Sequence, residues 1–391
     1  MNDVYIIGGH RSKKIYVNCH SGLRSYIGVY NGMYRHVPAE KLGAAVLQEV
    51  IRAYGLVRID EIIGGNSVGC GGNITRLAAL EAGLDVSVPA VTVDMQCCSG
   101  LESIAIAAAK VASGQAECIL AGGFDSASTQ PRRSCHPNHP AYRGDENWYM
   151  TAQFCPQVWS EDCMLRCAEY TAEQFQITRE MLDAWVLRSH ALAGEAVREG
   201  VFQPCIAPVW GGARDEGIRP AMRPQLLRRL KPVLPDGTVI TAANACLTND
   251  GAAFVIVCSP AYARRYGLQQ AVKIRGVASC GADPLLSPVG AVQAAEAVLT
   301  RCGLHREDID IFEVNEAFAL IGELFARQFP RCVAAYNPFG GALAYGHPYG
   351  ATGAVLLLHA IEGLRARDGA LGCCSIAGAG GLGKAMIIER V

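Results

Sequence analysis

The chain has 391 residues, half of them hydrophobic and 18% charged, and its formal net charge is -1. This balance is typical of a well-buried globular protein and gives no electrostatic reason to expect a nucleic-acid partner. No apolar run approaches the roughly 18–20 residues that span a bilayer, so no membrane partner is expected. The first residues place an apolar stretch before the basic ones, the reverse of a secretory signal, which predicts a cytoplasmic protein.

Cysteine is frequent, with 17 residues, but no pair has C-x-x-C spacing. The cysteines are scattered through apolar segments, so we expect reduced residues that pack in the core as small hydrophobic side chains. Residues 135–139 read CHPNH and suggest a metal site, yet no second pair of ligands has zinc-like spacing. A polar loop is therefore the favoured interpretation, and neither a metal nor a cofactor is predicted.

In chain order, the first predicted elements are a short strand at the amino terminus and a strand at residues 91–93. The second strand runs into Cys97 and then into a helix that Gly114 ends. The apolar residues of this helix have helical spacing and are Leu101, Ile104, Ala105, Ala108 and Val111. A buried strand follows at 116–121. Helix-to-strand alternation recurs at 292–301 into 309–314 and at 353–365 into 371–377. This alternation predicts an α/β fold with sheets buried between helices.

An internal near-repeat strengthens that prediction. Residues 91–123 run strand, cysteine turn, helix, strand and Gly-Gly, and residues 334–381 run strand, histidine turn, helix, strand and glycine-rich turn. Two copies of one unit would place Cys97 and His347 at related turns, facing each other across a pseudo-two-fold axis. The stretch 125–243 lacks the alternation and is richer in Arg, Trp, Pro and Gln, which favours an insertion or lid used in substrate recognition.

Cys97 is the first candidate for chemistry. It follows a strand and directly precedes Cys-Ser-Gly and a long helix. The free N–H groups and dipole of a helix amino terminus favour a thiolate, which would make this thiol a nucleophile near neutral pH. The alternative is a buried core cysteine.

Two further segments carry polar groups at turns. His347 lies between Gly346 and Pro348, where a fixed backbone presents the ring at a turn that enters a helix. Such a histidine can activate a thiol or donate a hydrogen bond to an oxyanion, although a purely structural turn is the alternative. Asn315 and Glu316 end a predicted strand and offer an amide and a carboxylate that could hold a water or orient a neighbour.

Together these segments resemble the signature blocks of the thiolases, with CCSG at 97–100, NEAF at 315–318 and GHPYGATG at 346–353. Further blocks in the same order, including GGNITR at 71–76 and NACLTNDGAA at 244–253, extend the resemblance over nearly the whole chain. The resemblance implies a thiolase fold, in which two similar βαβαβαββ halves stack as five α-β-α-β-α layers and a loop domain embraces coenzyme A.

The resemblance also implies boundaries, partners and an assembly. Residues 1–123 and 244–265 would form the first half, 124–243 the loop domain and 266–391 the second half. The implied partner is an acyl-CoA or another acyl thioester, with a carrier protein as an alternative donor. Coenzyme A would be substrate or product and not a cofactor. Thiolases usually assemble as dimers or tetramers, so a homodimer or homotetramer is expected.

Residue by residue, the resemblance implies that Cys97 attacks an acyl-CoA and becomes acylated. His347 would activate that thiol and help hold the thioester oxygen, and Asn315 would fix a water in the same oxyanion pocket. The positions expected to contact coenzyme A or the acyl group are Arg219 near the nucleotide end and, along the channel, Met164, Phe318 and Cys246.

The chain departs from the family pattern at the second catalytic cysteine, which in thiolases removes the α-proton of the attacking acyl-CoA. Spacing carried forward from His347 places Ala377 at that position. In a strand, Cys374 would face away from the site, and Cys373 would lie four residues back, roughly 13 Å at about 3.3 Å per residue. A proton is transferred over about 3 Å, so both cysteines are predicted to belong to the core unless the strand bulges.

Three more departures alter the expected pocket. Cys163 stands where the family has the histidine of its H-M-G block, and Cys246 stands where it has the serine of its N-A-S block. A segment at residues 10–37 interrupts an amino-terminal loop that is short in the family. These changes would remodel the pocket and put the ordinary acetoacetyl-CoA substrate in doubt.

Three hypotheses follow. The first is a thiolase that makes or cleaves the carbon–carbon bond of a 3-oxoacyl thioester with another base, such as Cys163. The second is an acyltransferase that loads Cys97 but abstracts no α-proton; its carbanion would come from decarboxylation, as in ketosynthases, or its acceptor would be a heteroatom. The third is a non-catalytic thioester-binding or structural subunit, which the retention of Cys97, His347 and Asn315 disfavours.

Overall fold

A ten-stranded mixed sheet organises the fold. The computed structural model describes residues 15–156, 160–268 and 270–391, so the strand predicted at the amino terminus lies outside the described residues. The strands are β1 (Ile15–Arg24), β2 (Gly28–Val29), β3 (Glu61–Gly65), β4 (Ala90–Val93), β5 (Cys118–Ser126), β6 (Asn249–Cys258), β7 (Gln270–Gly281), β8 (Ile311–Val314), β9 (Leu371–Gly378) and β10 (Leu382–Arg390).

The order of the strands shows that the fold consists of two similar halves. Neighbouring strands follow the order β4-β3-β5-β6-β1-β7-β10-β9-β8, and β2 also pairs with β6. The strands of the first half are, in chain order, β1, β3, β4, β5 and β6. Their order across the sheet is therefore third, second, fourth, fifth and first. The second half repeats the order with β7, β8, β9 and β10, and a parallel bridge between Phe312 and Tyr336 takes the place of its third strand. The fifth strand is antiparallel to both neighbours in each half, which confirms the internal repeat.

The two halves meet where β1 pairs antiparallel with β7. Residues 10–37, which were expected to interrupt a loop, supply this joining strand as well as β2. Residues 10–14 of that segment lie outside the described residues. The segment therefore belongs to the sheet from residue 15 onward and is not a simple loop insertion.

Eleven α-helices accompany the sheet in the described ranges, and none of them is long and apolar enough to cross a bilayer. They are α1 (Ala39–Tyr54), α2 (Ile74–Glu81), α3 (Ser99–Ala112), α4 (Cys163–Gln174), α5 (Arg179–Glu199), α6 (Pro224–Leu227), α7 (Pro260–Arg265), α8 (Gly290–Cys302), α9 (Leu320–Gln328), α10 (Ala342–Tyr345) and α11 (Tyr349–Ala366).

The helices and the two halves of the sheet form five layers. Helices α1 and α2 pack on the outer face of the first half, α8 and α9 on the outer face of the second half, and α3 and α11 lie between the halves. Every residue of α11 from 350 to 364 is buried, as expected for a helix that is apolar on all sides. The α-β-α-β-α arrangement predicted from the resemblance is thus confirmed.

The amino termini of α3 and α11 touch, because glycines allow their backbones to approach. A Cβ added to Gly100 would lie 2.5 Å from the carbonyl oxygen of Gly350, and one added to Gly353 would lie 2.1 Å from the backbone nitrogen of Leu101. Both distances are shorter than any real Cβ contact, so only glycine fits. This contact brings the turn before α3 and the turn before α11 to one place in the molecule.

The stretch between β5 and β6 differs from both halves. As far as the structure describes them, its residues contribute no strand to the large sheet and form α4, α5, α6 and irregular segments. A buried ion pair anchors it to β1: the Arg24 guanidinium donates to both carboxylate oxygens of Asp215, at 2.9 and 3.0 Å. Asp215 also accepts a hydrogen bond from the backbone N–H of Ile27 at 2.8 Å. The boundaries predicted for a separate loop domain, 124–243, stay a prediction.

Candidate active site

The turn that carries Cys97 lies between β4 and α3, as predicted. Gln96, just before it, has a φ of +53°, which a non-glycine residue adopts only when its surroundings hold it there. Asp94 accepts a hydrogen bond from the Gln96 N–H at 2.8 Å, and the Ser99 hydroxyl accepts from the Met95 N–H at 2.8 Å and donates to the Gln96 carbonyl. These contacts fix the backbone on both sides of the half-buried thiol.

Burial dominates the electrostatics of the Cys97 thiol. Loss of water around the sulfur raises its pKa to about 12, and the nearby Asp125 carboxylate adds to the rise. The backbone N–H groups of Ala379 and of Cys97 itself face the sulfur and lower the pKa by less than burial raises it. The sequence-based expectation of a low thiol pKa at a helix terminus is therefore wrong for the ligand-free protein. Cys97 is protonated at neutral pH and requires a base.

His347 lies in the turn between α10 and α11, and its backbone N–H donates to the Asn249 side-chain oxygen at 2.8 Å. The ring nitrogen Nδ1 lies 2.7 Å from the Thr352 hydroxyl, which donates its own hydrogen to the Pro348 carbonyl at 2.9 Å. Because that hydrogen is already used, Nδ1 carries the ring proton and donates to Thr352. Burial lowers the pKa of His347 to about 3, so the ring is neutral and Nε2 presents a lone pair.

Asn315 directly follows β8 and is fully buried. Its side-chain nitrogen lies 3.3 Å from Nε2 of His347, and its backbone N–H donates to the Ser375 carbonyl at 2.9 Å. Its side-chain oxygen has no hydrogen-bond partner among the described residues. A buried acceptor without a partner costs about 1–3 kcal/mol, so this oxygen is set to receive a hydrogen bond from a ligand or a water.

Cys246 lies on an extended segment between the two segments that carry Asn315 and His347. The backbone N–H of Cys246 donates to the Ala317 carbonyl at 2.9 Å, and Thr248, two residues on, forms a parallel bridge with His347. Burial raises the pKa of the Cys246 thiol, and the thiol of Cys97 nearby adds to the rise. The two thiols therefore share one pocket.

Tyr349, the first residue of α11, completes the wall of this pocket. Its ring packs edge-on against the His347 imidazole, with ring centres 5.0 Å apart and planes at 90°. Burial raises the pKa of its phenol, and Cys246, Cys97 and Asp125 raise it further. The pocket thus holds two thiols, an imidazole and a phenol, all uncharged at neutral pH.

The carboxyl end of β9 passes beside the nucleophile turn. The Cys98 thiol lies 3.6 Å from the Ile376 carbonyl, and the next residue, Ala377, is buried and offers only a methyl group. Cys373 packs in the same hydrophobic core as Ala377, whereas Cys374 packs in the core on the opposite face. Both are fully buried, which confirms the prediction that they are core residues.

Cys163 and Met164 form the first turn of α4. Burial raises the pKa of the Cys163 thiol, the backbone N–H of Met164 lowers it, and Asp162 raises it again. Met164 is half-buried and packs against the hydrophobic core of the second half, to which Phe318 also belongs. The groups that shift the pKa of the Cys163 thiol thus belong to its own loop and helix turn. Its hypothetical role as a base stays a prediction.

A cleft of about 430 Å³ is lined by Ala245 and Leu247, the two neighbours of Cys246. Phe318 forms a bridge with Ala245. Residues lining the cleft include His190, Arg219, Met222, Leu226, Arg229, Leu230, Ala243, Ala245, Leu247 and Leu343. Arg219 is exposed at the rim and also lines a larger cavity of about 590 Å³, whose lining contains the Arg24–Asp215 ion pair and no residue of the Cys97 turn. Of these two cavities, only the smaller one is lined by neighbours of Cys246.

The loop with Cys135 folds on itself. His136 accepts a hydrogen bond through Nδ1 from the backbone N–H of Asn138, and His139 accepts one from Ala141. Within the described ranges, no three His, Cys, Asp or Glu side chains gather as a metal site, and the cysteines whose side chains the structure describes form no disulfide bond.

Three residues that support the site were not predicted from the sequence. Asn249 holds the backbone of His347 and Thr352 fixes its ring proton. Asp125 is buried and accepts a hydrogen bond from the backbone N–H of Gly350, in the first turn of α11, at 2.7 Å. Asn249 and Thr352 lie inside the blocks NACLTNDGAA and GHPYGATG, which were a usable signal, whereas Asp125 lies outside the blocks.

Comparison with known proteins finds relatives along nearly the whole chain. The family models described as thiolase N-terminal domain and thiolase C-terminal domain match residues 17–261 and 268–390. VraB of Staphylococcus aureus, provisionally named an acetyl-CoA C-acetyltransferase, is 34% identical over 373 residues, 94% of this chain and 97% of VraB. The beta-ketoadipyl-CoA thiolase of Pseudomonas knackmussii is 33% identical over 402 residues, 97% of this chain and 100% of that protein.

A solved structure supports the same relationship. The crystal structure of the Bacillus anthracis acetyl-CoA acetyltransferase has a TM-score of 0.89 to this protein at 31% sequence identity, and the match covers 97% of this chain and 99% of that one. Both family models, the curated relatives and the solved fold agree. The chain belongs to the thiolase family of acyltransferases.

Proposed function

We propose that this acyltransferase forms a covalent thioester between Cys97 and an acyl group taken from an acyl-CoA, and that it makes or cleaves the carbon–carbon bond of a 3-oxoacyl thioester. The observation that carries the proposal is the environment of His347. Its ring is neutral, and Thr352 holds the proton on Nδ1 so that Nε2 can accept one. It lies on the turn that the contact of α3 with α11 brings to the Cys97 turn.

Acylation would proceed by coupled proton transfer. Nε2 of His347 takes the proton of the Cys97 thiol while the sulfur attacks the carbonyl carbon of the acyl-CoA. The carbonyl oxygen becomes an oxyanion, which the backbone N–H groups of Cys97 and Ala379 would stabilise, since both already face this sulfur. The tetrahedral intermediate then expels the coenzyme A thiolate, which takes the proton back from His347.

Coenzyme A would enter through the 430 Å³ cleft, which the neighbours of Cys246 line. Its rim is basic: Arg219 and Arg229 line it, and Arg223, Arg228 and Lys231 are exposed on the same segment. Within the described part of the chain these five cations take part in no ion pair, so their charge is open to phosphate groups. A carrier protein as alternative donor stays a prediction, as do the cytoplasmic location and the homodimer or homotetramer.

The relatives favour carbon–carbon chemistry, since one is named a beta-ketoadipyl-CoA thiolase and another an acetyl-CoA acetyltransferase. One observation favours the second candidate, an acyltransferase that abstracts no α-proton. At the end of β9, where the resemblance implies a second catalytic thiol, Ala377 provides only a methyl group. An enzyme that loads Cys97 but abstracts no α-proton would accept a carbanion formed by decarboxylation, or a heteroatom acceptor.

The test uses the purified protein with acetyl-CoA and, separately, with a malonyl thioester. Mass spectrometry of the Cys97 peptide measures acylation, and transfer of deuterium from D₂O into acetyl-CoA measures α-proton exchange. Acylation with exchange supports the carbon–carbon proposal. Acylation without exchange supports the diverted acyltransferase, and absence of any acyl group on Cys97 would refute both. The variant Cys302→Ser serves as a control for cysteine replacement away from the pocket.

A further inference from the structure

Carbon–carbon chemistry beside a thioester needs a proton carrier in addition to the pair that loads Cys97. When the bond of a 3-oxoacyl thioester breaks, the electron pair stays on the α-carbon of the leaving fragment, which must take up a proton. When the bond forms, the same carbon must lose one. In the acylation proposed above His347 serves the Cys97 thiol, so another titratable group in the same pocket has to serve the α-carbon.

The carboxylates near Cys97 already accept hydrogen bonds from other groups of the protein. Both oxygens of Asp125 are occupied: one accepts hydrogen bonds from Asn66 and Val68, the other from Ser67 and Gly350, at 2.7–3.1 Å. Asp125 therefore acts as a structural tie between β3 and the start of α11. Asp94 is exposed and accepts from Gln96 at the back of the nucleophile turn.

Cys246 has the position that such a group requires. Its backbone is held between the Asn315 and His347 segments, through the 2.9 Å hydrogen bond to Ala317 and the bridge of Thr248 with His347. Its thiol lies near that of Cys97, which raises the pKa of the Cys246 thiol further than burial alone does.

Two independent observations mark the space beside the two thiols as the place of a ligand. The cleft with the basic rim is lined by Ala245 and Leu247, the two neighbours of Cys246. The side-chain oxygen of Asn315, fully buried on the adjoining segment, has no hydrogen-bond partner among the described residues. A thioester that enters by the cleft would thus pass Cys246 before its carbonyl reaches Cys97.

We propose that Cys246 is the acid–base residue that gives a proton to, or takes one from, the α-carbon of the acyl-CoA while the other acyl group is bound to Cys97. The inference rests on the proposed carbon–carbon function and names a residue for its second half-reaction. Burial keeps the Cys246 thiol protonated at neutral pH, which is the form that cleavage requires.

In the cleavage direction the step balances as follows. His347 takes the proton of the Cys97 thiol while the sulfur adds to the 3-oxo carbonyl carbon, and the bond between that carbon and the α-carbon then breaks. The α-carbon takes the Cys246 proton and leaves as an acyl-CoA, which leaves Cys246 as a thiolate. Cys246 then takes the proton of an incoming coenzyme A thiol, and the resulting thiolate attacks the acyl group on Cys97. The released Cys97 sulfur takes its proton back from His347.

The test compares Cys246→Ala and Cys246→Ser with the wild type and with the control Cys302→Ser. We expect Cys97 to be acylated by acetyl-CoA in all four proteins, and α-deuterium exchange and thiolysis of a 3-oxoacyl-CoA to fall by about 100-fold or more in the two Cys246 variants. A third variant, Tyr349→Phe, removes the phenol of the same pocket and tests whether exchange depends on that group instead.

Several results would overturn the assignment. If Cys246→Ala exchanges α-deuterium at the wild-type rate, Cys246 is not the acid–base residue. If only Tyr349→Phe loses exchange, the acid–base role belongs to the phenol. Loss of acylation together with exchange in both Cys246 variants, at an unchanged thermal unfolding midpoint, shows a role in substrate binding instead. Acylation without exchange in the wild type itself refutes the carbon–carbon function, a failure distinct from that of Cys246 alone.

Discussion

The turns that carry Cys97 and His347 occupy the same place in the two halves of the fold, between the third strand position and the long central helix, yet their chemistry is opposite. Burial raises the pKa of the Cys97 thiol to about 12 and lowers the pKa of the His347 imidazole to about 3. One turn holds a proton that it must release, and the other holds a lone pair that can receive it. A duplicated turn has thus become an acid–base pair through the identity of one side chain in each copy.

The comparison also shows why neither residue is charged before substrate binds. A thiolate and an imidazolium would both lose hydration in this pocket, which disfavours the charged form of each group. In the proposed mechanism, proton transfer from Cys97 to His347 therefore accompanies attack on the carbonyl carbon, when the oxyanion meets its N–H donors.

The largest effect is expected from His347→Ala. Without the imidazole, no base described at this turn can take the Cys97 proton, so the rate of Cys97 acylation should fall by about 10²–10⁴-fold. Rapid-quench mass spectrometry of the Cys97 peptide with acetyl-CoA measures that rate. An acylation rate within a few-fold of the wild type would show that the thiol finds its base elsewhere.

The pH dependence of Cys97 alkylation tests the turn that carries Cys97 by itself. Since the pKa of Cys97 is about 12, its thiolate fraction should rise about tenfold for each pH unit between pH 7 and pH 10. Alkylation of the Cys97 peptide by iodoacetamide in the absence of substrate should rise in step and show no plateau. A plateau below pH 9 would mean that the helix terminus outweighs burial.

Thr352→Val tests the turn that carries His347 without removing the imidazole. Valine has the shape of threonine but cannot accept the Nδ1 hydrogen bond, so the ring proton is no longer held on Nδ1. Loss of a hydrogen bond worth about 1 kcal/mol predicts a fall of about fivefold in kcat with little change in KM. Thr352→Ser keeps the hydroxyl and should retain the activity. Equal losses in both variants would point to packing and not to the tautomer.

The smallest effect is expected at the rim of the cleft. Arg219 is exposed, so its contribution to phosphate binding is weakened by water and salt. Arg219→Ala should raise the KM for an acyl-CoA about two- to five-fold and leave kcat unchanged. The increase should shrink at high ionic strength. A changed kcat at unchanged KM would place Arg219 in the chemistry and not in binding.

Much of the fold follows from local pattern. The apolar spacing at Leu101, Ile104 and Val111 located α3 to within two residues of its observed start, because that face is fully buried between the halves. Gly114, with a φ of +77°, follows the end of that helix as expected. The strand faces assigned to Cys373 and Cys374 were also right, since alternation along a strand depends only on local geometry.

What sequence reasoning missed depends on contacts distant along the chain. The pairing of β1 with β7 joins residues more than 200 positions apart, and no local pattern indicated it. The pKa of Cys97 was misjudged because the helix terminus is visible in the sequence, whereas burial by the end of β9 is not. The predicted site residues lie in sequence blocks that resemble those of the family. The hydrogen bond between Asp125 and the first turn of α11, in contrast, is visible only in the folded structure.

The central claim is that the two turns act together to load an acyl group onto Cys97. The most direct test is acid-quenched mass spectrometry of the wild type and of His347→Ala after brief mixing with acetyl-CoA. We predict an acetyl group on Cys97, labile to hydroxylamine, that forms rapidly in the wild type and only slowly in the variant. An acetyl group on Cys98 or Cys246 in place of Cys97, or none with any acyl-CoA, would contradict that claim.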